Sequence, residues 1–597
     1  MDQSTTLVVP TGWEDIFRPD GLAQLEQALS DYMPRSRWFG GKARAIRRVS
    51  VVEAIPLPTQ PHAEAGFHTP EGKAYITIVR VTYDDGGEES YVVPLTFASG
   101  SQADEVRGRL SAAIVADVVI RTGSMPEGES GGEALGPQER GVLYDAVWDR
   151  GFAMALLHNI AQSRSLPGPS GRVVAWATHV FKALLRSERS PEPAVLKAEQ
   201  SNTSIVYGRT FIMKLFRRLE AGISPDLEVG RFLTERGFPN IPPLAGALEY
   251  EIERPRGVGM TQPAEPVTLA ILQRFVPNQG DAWRYTLAAL DGYLERVAAH
   301  AQPEQGAQST LRPPAGRHLL DRASEQAPPE VHEAIGPYLV SAQMLGRRSA
   351  ELHAALSSDP TQPGFAPEPF TLEYQQSLYR SIRNLATQCV ELIANKLARE
   401  RQGVPSTLIE ARRLFESDGG EALLAPVGFL LNAPVDAVRT RCHGDYHLGQ
   451  VLYTGSDFVI IDFEGEPARP LGERRMKHSP LKDVAGMLRS FHYAAYAALF
   501  NHTPGGTPDE RRRWLEGWVG LWYDWVAASY LQEYLLVARD YTFLPADRHT
   551  LGLLLDSYLL EKAIYELVYE LNNRPDWIQI PLQGILQLVR PEGTQLG

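Results

Sequence analysis

Residues 441–450 read Arg441-Cys442-His443-Gly444-Asp445-Tyr446-His447-Leu448-Gly449-Gln450. The chain continues through Val451-Leu452-Tyr453 to Val459-Ile460-Ile461-Asp462-Phe463-Glu464-Gly465-Glu466-Pro467. Asp445 follows His443-Gly444, Gln450 stands five residues later, and a short apolar β-hairpin returns the chain to Asp462. Phosphoryl transfer needs such a set: a carboxylate beside the accepting hydroxyl, and oxygen ligands for Mg²⁺ bridging the phosphates. The spacing predicts Asp445 as the catalytic carboxylate and Gln450 and Asp462 as metal ligands. An isolated His-Gly-Asp occurs by chance, and loop carboxylates are ordinarily just solvated. The full spacing, and what lies upstream, outweighs that reading. His443 and His447 flank Asp445 and are expected to hold the loop. As transition-metal ligands they lack a second ligand cluster.

Upstream, the small polar run Gln200-Ser201-Asn202-Thr203-Ser204 leads into Ile205-Val206-Tyr207-Gly208-Arg209-Thr210-Phe211-Ile212-Met213-Lys214-Leu215-Phe216. This reads as strand, turn at Gly208, and strand. Small residues over a hairpin let backbone N–H groups approach phosphates, and Lys214 in the second strand reaches phosphate oxygens. In Ser224-Pro225-Asp226-Leu227-Glu228, Ser224 suits an N-cap and Pro225 the first helical position. Glu228 then falls in the first turn of a helix and is expected to pair with Lys214. The plainer alternative is an ordinary hairpin with a snorkelling lysine.

Composition sets the boundaries. The chain has 597 residues and carries 59 basic against 72 acidic side chains, a net charge of −13. A net acidic surface repels phosphodiester backbones and anionic lipid, so neither nucleic acid nor a membrane is an expected partner. Two cysteines, Cys389 and Cys442, make no disulfide framework, which suits a reducing cytoplasm. The most apolar long segment, residues 518–538, contains Asp524, Gln532 and Glu533, which lipid would penalise. A cytoplasmic protein, monomer or homodimer, is expected.

The hydrophobic period changes along the chain. Residues 74–83 and 90–95 are strand-like runs around Asp84-Asp85-Gly86-Gly87 and read as a hairpin. Residues 123–136 are loop by composition, residues 143–160 show helical spacing, and residues 195–216 are again β-rich. After about Tyr338 the pattern is helical except near residues 451–463. Residues 300–337, dense in Pro, Gly, Gln and Ala, read as a surface insertion. The tryptophans at 514, 518, 522 and 525 have helical spacing and read as core. So does His353. The plan is α+β and bilobal.

The chain resembles the maltokinase family, within the broad group of aminoglycoside phosphotransferases and protein kinases. The resemblance rests on Arg37-Trp38-Phe39-Gly40-Gly41-Lys42, residues 200–204, Lys214-Leu215-Phe216-Arg217-Arg218 and Asn240-Ile241-Pro242-Pro243-Leu244-Ala245-Gly246. Residues 443–450, 461–467 and 479–490 complete it. It implies an eukaryotic-protein-kinase-like fold: a β-rich cap (1–130), an intermediate β-lobe (131–277) and a helical lobe (278–597). The implied reaction is transfer of the ATP γ-phosphate to the anomeric hydroxyl of maltose, feeding α-glucan synthesis. Residues 300–337 lengthen the chain beyond a minimal kinase of this type. The large hydrolase-like domain of forms fused to trehalose synthase is absent here, and a trehalose synthase is the implied partner.

In the kinase-like plan, Gln273, Arg274, Phe275 and Val276 form the hinge that bonds adenine through its backbone. His443, Asp445 and Asp462 border the substrate. For the sugar, Lys562, Tyr565, Glu566 and Tyr569 share one helical face, Arg574-Pro575 ends the helix, and Trp577 follows. Polar pairs for vicinal hydroxyls and an aromatic face are what a glucosyl unit requires. Asp483 is expected to orient backbone rather than touch substrate. Two other functions fit the same residues: a kinase for glucosamine, another amino sugar or an aminoglycoside, and a weakly catalytic nucleotide-binding subunit of a trehalose-processing assembly.

Overall fold

The computed structural model describes residues 5–58, 73–121, 138–185, 192–196, 201–252, 266–300, 318–399, 406–416, 421–503 and 509–589. The loop expected at 123–136, Gln200, and residues 301–317 of the expected insertion lie outside them. The chain divides into two units, one of residues 1–231 and 242–277, the other of residues 232–241 and 278–597.

The first unit holds two sheets. In the first, the order is Thr6–Val9, Ile114–Arg121, Gln138–Asp145, Leu95–Ser99, Lys73–Tyr83, Glu88–Val92 and Arg218–Leu219. Ile46–Pro58 also pairs with Lys73–Tyr83, so that strand serves three neighbours and the sheet curls. The hairpin read at 74–95 is present as Lys73–Tyr83 and Glu88–Val92, turning at Gly86 with φ +83°. Lys73–Tyr83 is buried on both faces, with Ile76 and Ile78 in one apolar cluster and Val79 and Val81 in another.

The second sheet is antiparallel throughout. Its order is Pro193–Val195, Asn202–Tyr207, Phe211–Phe216, Val267–Arg274, Leu244–Ile252, Gly171–Ala177 and Ser165–Pro167. One apolar cluster joins the two sheets, with Ile55, Leu57, Ile76 and Ile78 from the first meeting Val173, Ile205, Met213 and Leu272 from the second. The helical spacing read from residue 143 begins too early. Gln138–Asp145 is a strand with Val142 and Leu143 fully buried, and the helix is Arg150–Ala161. Asp149 caps it by accepting from the Phe152 N–H at 2.7 Å.

The second unit is helical. Tyr338–Leu356 packs along Asp509–Ala538, and Leu481–His502, Arg548–Asn573 and Leu372–Arg399 stack beside them. Gly346 has no room for a Cβ because the Tyr530 carbonyl occupies that space, so the first two helices touch backbone to backbone. Of the tryptophans expected as core, Trp522 is fully buried against Tyr338 and Trp525 is buried beneath Arg322, whereas Trp514 and Trp518 are half-buried. The described part of the expected surface insertion is not an excursion. It forms helices Leu319–Ala323 and Pro329–Ile335, which bury Leu320, Ala323, Val331 and Ile335. Its Pro and Gly residues are helix punctuation: Pro328 and Pro329 open the second helix and Gly336, at φ +76°, ends it. Among the described residues, no helix is long and apolar enough to cross a membrane.

Candidate active site

In the second unit the loop that carries Asp445 is held from below by one carboxylate. Asp483, on Leu481–His502, accepts the His443 N–H at 2.6 Å and the Gly444 N–H at 2.9 Å. His353 lies 3.1 Å from the same carboxylate and bonds the Tyr534 hydroxyl with its other ring nitrogen. Burial pushes the Asp483 pKa up, but His353 and the loop N–H groups override it and hold the carboxyl below its ordinary value. Asp483 therefore orients backbone, as the sequence suggests. Gly444 takes φ +88°, a conformation that suits glycine. At Gly486 a Cβ would fall 2.5 Å from the Tyr446 carbonyl, so only glycine lets the helix approach the loop.

The two histidines hold the loop. His443 is 1% exposed and bonds the Ile461 carbonyl through Nε2 at 2.9 Å, between the rings of Tyr446 and Phe463. It is thus a strut between the Asp445 loop and the segment leading to Asp462, and not in the position expected for it at the substrate. His447 accepts the Gly449 N–H through Nδ1, and burial pushes its pKa down.

Val451–Tyr453 and Phe458–Ile460 form the expected hairpin, and Asp462 follows at φ +66°. The Gln450 amide donates to Asp462 Oδ2 at 2.8 Å. Asp462 and Glu464 bring carboxylate oxygens within 4.8 Å of each other. Clustered hard oxygens fit Mg²⁺, which keeps several waters and takes one or two carboxylates from the protein. Glu464 was within the motif but unassigned by spacing.

Beside Asp445 opens a cavity of about 260 Å³. Asp445, Glu466, Arg469, Glu561, Lys562 and Tyr565 line one side. Asn384 and Gln388, from the polar face of Leu372–Arg399, line the other. Charges alternate along the wall: Lys562 Nζ is 3.3 Å from Asp445 Oδ1 and 3.7 Å from Glu466 Oε1, and Arg469 bonds Glu466 at 2.5 Å. Burial works to lower the Lys562 pKa, but Asp445, Glu466 and Glu566 outweigh it and raise it, so the ammonium stays charged.

Of the residues expected at the sugar, Lys562 and Tyr565 reach this cavity and Glu566, Arg574 and Trp577 are not in its wall. Glu566 is bound to the buried Arg489 at 2.7 Å. Arg574 pairs with Glu570 at 2.7 Å, and its guanidinium lies 4.9 Å from the Trp577 ring. The expected helical face is divided: Lys562 and Tyr565 reach the cavity, while Glu566 turns to Leu481–His502. Glu561, Glu466, Arg469, Asn384 and Gln388 were not found from sequence. Glu561 lies next to Lys562, and the Asn384/Gln388 i,i+4 pair is the one local signal on its helix.

In the first unit, Lys214 is opposite Ser204 across the hairpin and bonds Asp226 Oδ2 at 3.1 Å. Asp226, two residues before the expected Glu228, is a carboxylate set against this lysine. Both carboxylates lie in the first turn of Pro225–Glu235. Ser224 accepts the Asp226 N–H at 3.3 Å, as an N-cap does. Ser201 and Asn202 open the first strand, Ser204 is buried, and Thr203 Oγ1 accepts from Arg217. Thr203 therefore turns its side chain to Arg217. Gln273 and Arg274 end an interior strand rather than a sheet edge, and the Phe275 N–H bonds the Thr210 carbonyl at 2.9 Å before Val276.

Residues 32–149 match the family model of the maltokinase N-terminal cap domain. The chain is 26% identical over 477 residues to the glucosamine kinase of Mycolicibacterium smegmatis, a match covering 77% of this chain and 94% of that one. It is 24% identical over 445 residues to the glucosamine kinase of Streptacidiphilus jiangxiensis, covering 71% and 82%. A glucosamine kinase structure in complex with glucosamine, ADP and inorganic phosphate superposes with a TM-score of 0.55 at 17% identity, covering 95% of this chain and 99% of that one. The chain thus carries, over residues 32–149, a segment similar to the maltokinase N-terminal cap domain, and has the kinase-like α+β fold.

Proposed function

We propose that this protein is an ATP-dependent sugar kinase that presents the acceptor hydroxyl to Asp445. The observation that carries the reading is Asp445 itself, on a loop fixed by Asp483 and open to a cavity lined by charged and amide side chains. Phosphoryl transfer asks little covalent chemistry of a protein and much positioning. Asp445 orients the hydroxyl and takes its proton as the bond to phosphorus forms. Lys562 keeps that carboxylate in place. Gln450, Asp462 and Glu464 would hold Mg²⁺, which supplies charge neutralisation on the phosphates when bound. Lys214, steadied by Asp226, is placed to meet phosphate oxygens.

For the acceptor we favour an amino sugar of one ring, of the glucosamine type. The cavity, about 260 Å³, falls below the usual ~300–1,000 Å³ of ligand pockets, which suits one ring better than two. Glu466 and Glu561 offer carboxylates to an ammonium, and two relatives of the chain are named glucosamine kinases. Maltose, expected from the resemblance, is the second reading, favoured by the cap match at residues 32–149. A panel of glucosamine, glucose and maltose with ATP, followed by ADP release and by ³¹P NMR of the product, tests the proposal. Turnover of none of them contradicts a sugar kinase, and maltose as the best acceptor contradicts the amino-sugar assignment.

A further inference from the structure

Arg217 is 1% exposed, as is the side chain of Asp145, and their ion pair measures 2.7 Å. The guanidinium reaches both sheets of the first unit. Nη2 bonds Asp145 at the end of Gln138–Asp145, and Nη1 bonds the Val92 carbonyl at 3.3 Å. Nε donates to Thr203 Oγ1, in the second sheet, at 2.8 Å. The Trp38 ring lies 4.9 Å from the guanidinium, and the Tyr32 hydroxyl donates to the same Asp145 oxygen at 3.3 Å. Trp38, Val92 and Asp145 all belong to the cap, residues 32–149.

The backbone repeats the connection. Phe211–Phe216, which carries Lys214, runs directly into Arg218–Leu219, and that short strand pairs with Glu88–Val92 of the cap sheet. The Val92 N–H bonds the Arg217 carbonyl at 2.8 Å, and Arg218 pairs with Glu89. Lys214 is thus three residues from a point pinned in the cap by backbone and side chain together. Thr203 lies directly after Ser201-Asn202 and faces Leu215 across the hairpin. One buried guanidinium therefore ties the strand that begins in the small-residue run to the strand that carries Lys214.

We infer that the cap is a working part of the nucleotide site, and that Asp145, acting through Arg217, is a positioning residue for Lys214 and the run beginning at Ser201. Neither Asp145 nor Arg217 touches nucleotide; they set where the phosphate-facing groups stand. Guanidinium geometry is required, because one side chain must serve Asp145, Thr203 and Val92 at once and a lysine ammonium cannot span them. The inference rests on the kinase reading above and goes beyond it by giving the cap a role.

A second buried polar link between the same two sheets supplies the control. Glu53, on Ile46–Pro58, accepts the Tyr250 hydroxyl at 2.8 Å and the Ser170 N–H at 3.0 Å. That link is also buried and also joins cap to second sheet, but it does not lie on the strands of Thr203 or Lys214. Arg217→Lys, Asp145→Asn and Tyr250→Phe are compared in the full-length protein, by thermal unfolding, ADP affinity, and separate KM values for ATP and sugar. Arg217→Lys and Asp145→Asn are expected to weaken ADP binding and raise the ATP KM about 5- to 50-fold, with the sugar KM within twofold. Tyr250→Phe is expected to lower the melting temperature with ATP KM unchanged. Equal ATP KM in all folded variants, or the same rise in all three, overturns the positioning role. Asp145→Asn, the milder change, decides the matter if Arg217→Lys does not fold. A wild-type chain with no nucleotide affinity overturns the kinase reading itself, and the inference with it.

Discussion

The Lys562 ammonium lies 3.3 Å from Asp445, a residue 117 positions earlier in the chain, and so ties the helix Arg548–Asn573 to the loop that carries Asp445. It also keeps Asp445 and Glu466 from facing each other as unneutralised carboxylates. Lys562→Met is expected to lower kcat for glucose by about 10- to 100-fold, a typical cost of losing a positioning contact, with the ATP KM unchanged. A substrate ammonium can take part of the lysine's place, so glucosamine turnover should fall less than glucose turnover. Equal losses for both sugars would argue that no substrate amine approaches these carboxylates.

The metal assignment separates two neighbours. Asp462→Asn removes a charged oxygen ligand and is expected to abolish Mg²⁺-dependent turnover. Gln450→Ala removes a neutral partner of Asp462 and should be milder, with partial recovery as Mg²⁺ is raised. Titrating Mg²⁺ against initial rate for both variants checks this. Identical Mg²⁺ curves for wild type and Asp462→Asn would remove Asp462 from the metal site.

Glu566 illustrates how a substrate assignment becomes a stability prediction. Its partner Arg489 has a side chain 3% exposed, so Glu566→Ala leaves a buried cation unpaired. Breaking a buried pair from one side costs about 3–5 kcal/mol. Thermal unfolding should show that loss, with the sugar KM of the folded enzyme near wild type. Replacing both residues, as Arg489→Met with Glu566→Leu, should recover much of it. A large KM effect with unchanged stability would return Glu566 to the sugar site.

Asp524 supplies a pH test. Burial among the apolar residues of Asp509–Ala538 pushes its pKa up to about 6, against a small opposing pull from Arg322. A carboxyl raised in the folded state destabilises it above that pKa and ceases to do so below the unfolded value near 4. Asp524→Asn should therefore stabilise the protein by about 1–3 kcal/mol at pH 8, and the gain should vanish by about pH 4. Chemical unfolding of both proteins across that range measures it, and a gain independent of pH would contradict the burial argument.

The catalytic loop was legible because its parts are close in sequence. Asp445, Gln450 and Asp462 are separated only by a tight hairpin, so spacing nearly fixes geometry. Asp226 was missed because sequence places it in the same helical turn as Glu228, and composition alone does not single it out. Arg217 with Asp145 and Arg489 with Glu566 are separated by 72 and 77 residues, and no local pattern announces such pairs. A helical face rich in polar residues reads as a ligand surface whether its partner is a sugar or another helix. The early start of the helix read at residue 143 has a similar cause, since a fully buried strand and an apolar helix face share the same composition.

The most direct test of the account is the specificity constant for glucosamine, glucose and maltose with ATP, on wild type and Asp445→Asn, together with ADP affinity. The account predicts glucosamine as the best acceptor, a fall of roughly 10²–10⁴ in rate for Asp445→Asn, and ADP affinity near wild type. Wild-type rates in Asp445→Asn would contradict the placement of the reacting hydroxyl at this carboxylate.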